Sequence, residues 1–259
     1  MPMFQAGLMT GIGNALVKRI KKPVYYSVYR TTGIRIQMAV HYYDLSMIGA
    51  VFDIPASAAK SVLPSKRLVP AEREPGISEI HVTALEYRSV DILFPYNEVA
   101  ICLPVTYRAD SGEEQHGLYY LHLPVTTEDA RWGGVENLGL PKFVAEISFA
   151  DNDGFRSSTL KADGKEIITL SVNGLPLKSQ SWEFNNFGIK DGKLLRNSFQ
   201  VNGEGGTSTD AGGAKFAFGD HPVAENLKAL GIGVTAVEHI YVTKAQAVLS
   251  KALGSPLPL

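Results

Sequence analysis

The chain has 259 residues, 45% of them hydrophobic, with a formal net charge of −1 and a pI near 6.6. That length and apolar content can bury a sizeable core, and the balanced charge leaves nucleic-acid binding without support. A single cysteine, Cys102, excludes internal disulfides and thiolate zinc sites of the CxxC type, which fits a reducing, cytoplasmic setting.

The first acidic residue is Asp44, so residues 1–43 form a basic arm of charge +6 ahead of a remainder at −7. Positive charges follow the apolar opening instead of preceding it, the reverse of a secretory signal. Phe4, Leu8, Ile12 and Leu16 recur every four residues, which predicts a short amphipathic helix docking on another subunit, or less readily on a membrane surface. Ile34, Ile36, Met38 and Val40 alternate with Arg35, Gln37, Ala39 and His41, the period of a strand with one buried face. Residues 45–54 read as a second strand covered on both faces. Pro55 and Pro64 bracket a short helix, and residues 65–76 read as a loop. Strands are predicted at 77–90, 98–108, 116–124, 143–150, 155–162 and 165–173, with turns at DNDG, ADG and NG. The glycine-rich stretch 202–221 reads as a flexible loop, because it lacks the spacing that cradles a dinucleotide. A helix follows over 219–231, capped by Asp220 or His221 and ended by Gly231, then a last strand and a terminal helix within 239–253. Many short antiparallel strands and few helices define an α+β, mainly β fold on a closed or strongly bent sheet.

Signatures of zinc proteases, serine hydrolases and phosphate-binding loops are missing, and the six histidines show no ligand spacing. No metal or cofactor is expected. Chemistry is left to Lys142 and the carboxylates. Pro141 fixes φ just before Lys142, and Leu138, Leu140, Phe143 and Val144 surround it. Desolvation there would favour the free amine, the nucleophilic form, over the ammonium. Glu98 opens the strand EVAICLPV, whose two faces are otherwise apolar. A carboxylate there either sits at an exposed strand end or points into a cavity as an acid–base group.

The segments GGVENLGLPK followed by FVAEISF, FPYNEVAICLPVTY, and FAFGDHPVAENLKALGIG occur in an order that resembles the acetoacetate decarboxylase family over about residues 45–250. The resemblance implies a cone-shaped, closed antiparallel β-barrel flanked by short helices, assembled into homo-oligomers as one domain spanning 1–259. It implies that Lys142 forms a Schiff base with a keto acid or ketone and that Glu98 is the catalytic glutamate. Gly134, Glu136 and Pro141 fall on the segment that positions the lysine. Phe143 stands where the decarboxylases carry a second lysine, Val135 where they carry an arginine, and Leu140 at a tyrosine-like position. Asp53 falls on an arginine that holds the substrate carboxylate, and Thr83 on a second active-site glutamate, with Glu86 a few positions away. Phe143, Leu140, Glu86 and Asp53 are thus the expected substrate-contacting positions. With Phe143 in place of the second lysine, desolvation has to activate Lys142, as in the general mechanism for which acetoacetate decarboxylase is a standard example. The departures imply a Schiff-base lyase of decarboxylase, aldol, retro-aldol or dehydratase type. The alternative is a non-catalytic barrel that binds an organic acid against the lysine.

Overall fold

The computed structural model describes residues 39–91, 93–251 and 256–259. The expected amphipathic helix near the N-terminus and the strand residues before 39 lie outside them; the terminal helix expected within 239–253 is overturned, because residues 239–251 are strand and pair along their length with neighbouring strands, and 252–253 lie outside. Thirteen strands are described. They are β1 Ala39–Pro55, β2 Leu68–Pro70, β3 Glu72–Glu74, β4 Ile77–Val90, β5 Tyr96–Arg108, β6 Glu114–His122, β7 Glu146–Asn152, β8 Phe155–Ala162, β9 Lys165–Asn173, β10 Lys178–Lys190, β11 Lys193–Ser208, β12 Ala214–Phe218 and β13 Glu238–Lys251. Three α-helices join them: α1 Ala56–Ser61, α2 Glu128–Leu138 and α3 Pro222–Ala229.

Nine strands pair in the order β2-β5-β6-β10-β11-β13-β1-β4-β3, and a β4–β5 ladder joins the two arms into a ring of seven. Every pairing in the ring is antiparallel except β6 with β10, where the chain returns after α2 and β7–β9. A second sheet, β12-β9-β8-β7, covers part of the ring's outer face. The two faces of β5 explain the layering. Val99, Ile101, Leu103 and Val105 pack outward with Leu160, Ile168, Leu170 and Phe216 of the small sheet. Ala100 and Cys102 point the other way, into an interior shared with Tyr42, Leu85, Tyr87 and Phe199. Because both faces are covered, β5 reads as a continuous apolar run.

Several local expectations correspond to observed elements and several do not. The predicted strands over 77–90, 155–162 and 165–173 are β4, β8 and β9. Their hairpins turn on Asp153-Gly154 and Asp163-Gly164, all four residues at positive φ, the conformation that two-residue hairpins need. The helix expected between Pro55 and Pro64 is α1, and that over 219–231 is α3, with His221 Nδ1 accepting from the Val223 amide at 3.1 Å. The two strands expected before Pro55 are one strand, β1, whose pairing slips at bulges near Tyr42–Met47. The loop expected over 65–76 holds the short strands β2 and β3. The flexible loop expected over 202–221 is overturned: Asn202–Ser208 is the end of β11, paired to β13, and Ala214–Phe218 is β12. Its glycines serve close packing, since a Cβ on Gly203 would meet the Lys244 carbonyl oxygen at 2.5 Å.

Candidate active site

Helix α2 and the three residues after it place Lys142. Thr127 Oγ1 accepts from the Ala130 amide at 3.4 Å, and Glu128 and Asp129 sit in the first turn, where the helix dipole favours negative charge. The helix ends at Gly139, in the left-handed region at φ 65°. Its end is fastened to β10: the Ile189 amide donates to the Gly139 carbonyl at 2.8 Å, and Lys190 Nζ donates to Glu136 through both its carbonyl, at 2.6 Å, and its carboxylate, at 2.7 Å. Glu136 therefore anchors the helix from outside the site.

The lysine stem crosses α2 at a point only glycine permits. A Cβ on Gly134 would stand 2.6 Å from Lys142 Cε and 3.1 Å from Cγ. Gly134→Ala is expected to keep the fold, since alanine suits a helix, while pushing Nζ off its partner. Faster modification of Lys142 than in the parent by an amine-reactive reagent, read by mass spectrometry, would record that displacement; an unchanged rate would show that Gly134 does not hold the stem.

That partner is Glu98. Lys142 Nζ donates to Glu98 Oε2 at 2.5 Å, with the two side chains only 6% and 9% exposed. Tyr87 donates to the other oxygen, Oε1, at 3.3 Å, so the carboxylate is held at both ends. The Tyr96 ring lies under the amine, 5.7 Å from Nζ to its centroid, close enough for a cation–π contact. The rings of Tyr42, Tyr87 and Tyr96 pack in sequence, with centroids 4.4 and 4.7 Å apart. Burial, reinforced by the Glu98 charge, pushes the phenols of Tyr42 and Tyr87 well above their usual 10, so they remain hydrogen-bond donors. None of these tyrosines stood out in the sequence, although Tyr87 and Tyr96 alternate with apolar neighbours on strands that bring them face to face.

Lys142 is among the residues that line a pocket of about 370 Å³, together with Tyr119, Tyr120, Val135, Leu140, Phe187 and Ile189. Leu140, one of the expected positions, is thus part of the pocket lining. Phe143 sits beside the lysine with its ring edge-on to His122, centroids 6.4 Å apart. Burial, and secondarily the charge of His221, pushes the His122 imidazole below its usual 6.5. The unfolded chain therefore takes up this proton first, and stability is present above about pH 6.5 and falls as pH drops below it. Urea midpoints should decline between pH 7.5 and 5.5, and His122→Asn should flatten that decline; parallel curves would assign it to other groups.

Two expected substrate contacts stand elsewhere. Asp53 is on the ring's inner side, but six residues along β1 from Met47, whose partner Leu85 lies opposite Glu98. At about 3.3 Å per residue that is roughly 20 Å away. Asp53 is instead paired with Arg73 at 2.5 Å. Glu86 follows Leu85 on β4 and so faces outward, where Arg156 at 2.8 Å, Arg88 at 3.2 Å and Ser46 at 3.0 Å engage its Oε2. The alternation that turns Leu85 and Tyr87 inward turns Glu86 out. Among the described residues no cluster of histidine, cysteine and acidic side chains could hold a metal, and no helix is long and apolar enough to cross a membrane.

Fold and site together define a β-ring protein with a buried lysine–glutamate pair whose lysine also lines a pocket. A family model described as acetoacetate decarboxylase matches residues 25–190, and the chain belongs to that family. Among solved structures, an acetoacetate decarboxylase from Legionella pneumophila superposes with TM-score 0.63 at 13% identity, covering 96% of each chain. The enduracididine biosynthesis enzyme MppR complexed with pyruvate gives 0.61 at 13% identity, covering 85% of this chain and 91% of its own. An acetoacetate decarboxylase-like enzyme from Sphingomonas wittichii RW1 gives 0.55 at 14% identity, covering 84% and 92%. At such identities the likeness is one of fold. No curated protein matches the chain.

Proposed function

We propose that the protein is a Schiff-base-forming lyase acting on a ketone or keto acid, with Lys142 as nucleophile and Glu98 as proton shuttle. The observation that carries this reading is the 2.5 Å contact between Lys142 Nζ and Glu98 Oε2, nearly out of water. Proton transfer along that contact leaves a neutral amine and a carboxylic acid. The amine lone pair attacks the substrate carbonyl carbon, and the carbonyl oxygen, protonated in the resulting carbinolamine, leaves as water with the proton of Glu98. The product is an iminium on Lys142 beside the Glu98 carboxylate. The iminium then accepts the electron pair of a breaking bond at the adjacent carbon, and Glu98 takes or returns the proton there. Tyr87 holds Glu98 Oε1 throughout, which keeps Oε2 toward the amine.

An organic-acid-binding barrel has less support. The ammonium that would hold a ligand carboxylate already holds Glu98, and a second carboxylate would have to displace it. Assembly into homo-oligomers is part of the proposal.

Borohydride reduction in the presence of a carbonyl panel should fix an adduct mass on Lys142. Lys142→Arg, which keeps the charge opposite Glu98 and removes the nucleophilic amine, should lose it. A folded parent protein that traps no member of the panel would refute the reading.

A further inference from the structure

Two residues of β5 meet the lysine nitrogen. Tyr96 and Glu98 are two positions apart, so strand alternation puts both on the ring's inner face, roughly 7 Å apart along the strand. Glu98 Oε2 accepts from Lys142 Nζ at 2.5 Å, and the centroid of the Tyr96 ring lies 5.7 Å from the same atom. That ring is fixed in place. Its hydroxyl pairs with that of Tyr42 at 3.3 Å, and the Tyr87 ring, opposite it in the β4–β5 ladder, packs with centroids 4.7 Å apart. Tyr96 is 4% exposed, so water does little to weaken what its face offers a cation. Burial keeps the phenols of Tyr42 on β1, Tyr87 on β4, Tyr96 itself and Tyr120 on β6 protonated, and the Cys102 thiol as well. Glu136 of α2 and Lys190 of β10 pair with each other, and His122 faces Phe143.

We propose that Tyr96 is a catalytic residue: the face of its ring holds positive charge on the Lys142 nitrogen, as the ammonium at rest and as the iminium once a carbonyl compound has condensed. The iminium half rests on the Schiff-base reading above. Glu98 creates the need. Exclusion of water penalises a charged pair, so a proton shared between Nζ and Oε2 is drawn toward the state in which both groups are neutral. The same holds after condensation, because an iminium that gives its proton to Glu98 becomes a neutral imine, a much poorer electron sink. Two contacts oppose that transfer, one on each partner. The Tyr87 hydrogen bond to Oε1 stabilises the carboxylate, and the negative face of the Tyr96 ring stabilises the cation.

The ring acts on the population of the reactive form and not on the bond cleavage itself. When the electron pair of the breaking bond enters the iminium, it forms the carbon–carbon double bond of an enamine. The carbon–nitrogen π pair becomes a lone pair on nitrogen, which keeps its hydrogen. Positive charge leaves the nitrogen in that step, so Tyr96 gives it no further help. Its contribution is to keep the protonated imine present, from which cleavage starts. Such a role depends on the electron density of the ring face at constant shape, whereas a packing role does not.

Replacing ring hydrogens by fluorine drains the face of electron density and barely changes its size. The test places phenylalanine and its mono-, di- and trifluorinated forms at position 96 of the full chain. The series starts from Tyr96→Phe, which keeps the ring face and loses the bond to Tyr42. Competitive acetylation by acetic anhydride, with the exposed Lys165 as internal reference, reads the neutral fraction of the Lys142 amine. Cyanoborohydride, which reduces an iminium and not a neutral imine, reads the adduct with acetone and with pyruvate across pH. From phenylalanine to its trifluorinated form, Lys142 acetylation near neutrality should rise stepwise by about tenfold, one pKa unit, because the ammonium loses its support. The alkaline limb of trapping should move to lower pH by a similar amount. Equal acetylation across the series would overturn the inference, whether or not an adduct forms, and stepped acetylation with an unmoved trapping limb would overturn its iminium half. Absence of any adduct in the parent protein, with stepped acetylation, would overturn the Schiff-base reading beneath it and confine Tyr96 to the ammonium.

Discussion

Lys142→Met should destabilise the folded chain by about 3–5 kcal/mol, the usual cost of removing one partner from a buried ion pair. The side chains are 6% and 9% exposed, so water does little to screen the charge left on Glu98. Methionine nearly matches the lysine stem in volume, and the stem packing against Gly134 is kept, which isolates the electrostatic loss. Adding Glu98→Gln should recover more than half of that loss, because the amide removes the unpaired charge and can still accept from Tyr87. Urea unfolding of the parent, the two single variants and the double variant closes the cycle. A Lys142→Met penalty below about 1 kcal/mol would mean that the pair behaves like an exposed one.

Gly139→Ala is the second large effect, and it works through the backbone. Gly139 lies at φ 65°, where a non-glycine residue costs roughly 1–2 kcal/mol. A Cβ there would also stand 2.7 Å from the backbone carbon and oxygen of Ile189, which cannot yield as a flexible side chain can. The variant must open the seam between α2 and β10, losing the Ile189–Gly139 hydrogen bond as well. A total near 3 kcal/mol would lower the melting temperature by roughly 6–12 °C for a chain of this size. Gly133→Ala is the internal control. It sits in the same helix with nothing within 4 Å of its would-be Cβ, and should be neutral or stabilising by up to about 1 kcal/mol. Similar melting temperatures for the two variants would show that the seam does not constrain the helix end. Because the seam carries the chain to Pro141 and Lys142, Gly139→Ala should also reduce borohydride trapping more than its loss of stability explains.

Local patterns of residues determined much of this protein. Asp-Gly turns, a proline-bounded helix and alternating apolar positions placed β4, β8, β9, α1 and α3, because each depends on neighbours a few residues apart. Helix α2 was equally local: Thr127 followed by Glu128 and Asp129, with Gly139 at the far end, is a start and a stop signal within a dozen residues. Asp191-Gly192 likewise marked the hairpin between β10 and β11. The motif around Lys142, with Glu98 upstream, singled out the two residues that the fold brings within 2.5 Å across 44 positions of sequence.

Tertiary structure decided what surrounds them. Tyr42, Tyr87, Tyr96 and Tyr120 come from four strands and meet only because the β4–β5 ladder closes the ring. The parallel β6–β10 pairing brings the walls of the pocket together across more than sixty residues of sequence. Asp53 and Glu86 show the converse. Each lies on a strand whose other residues border the site, yet distance along β1 removes one and the alternation of β4 removes the other. A sequence states which residues are apolar, charged or able to turn, whereas which face and which end of a closed sheet they occupy depends on register, and register is set by contacts between strands far apart in the chain.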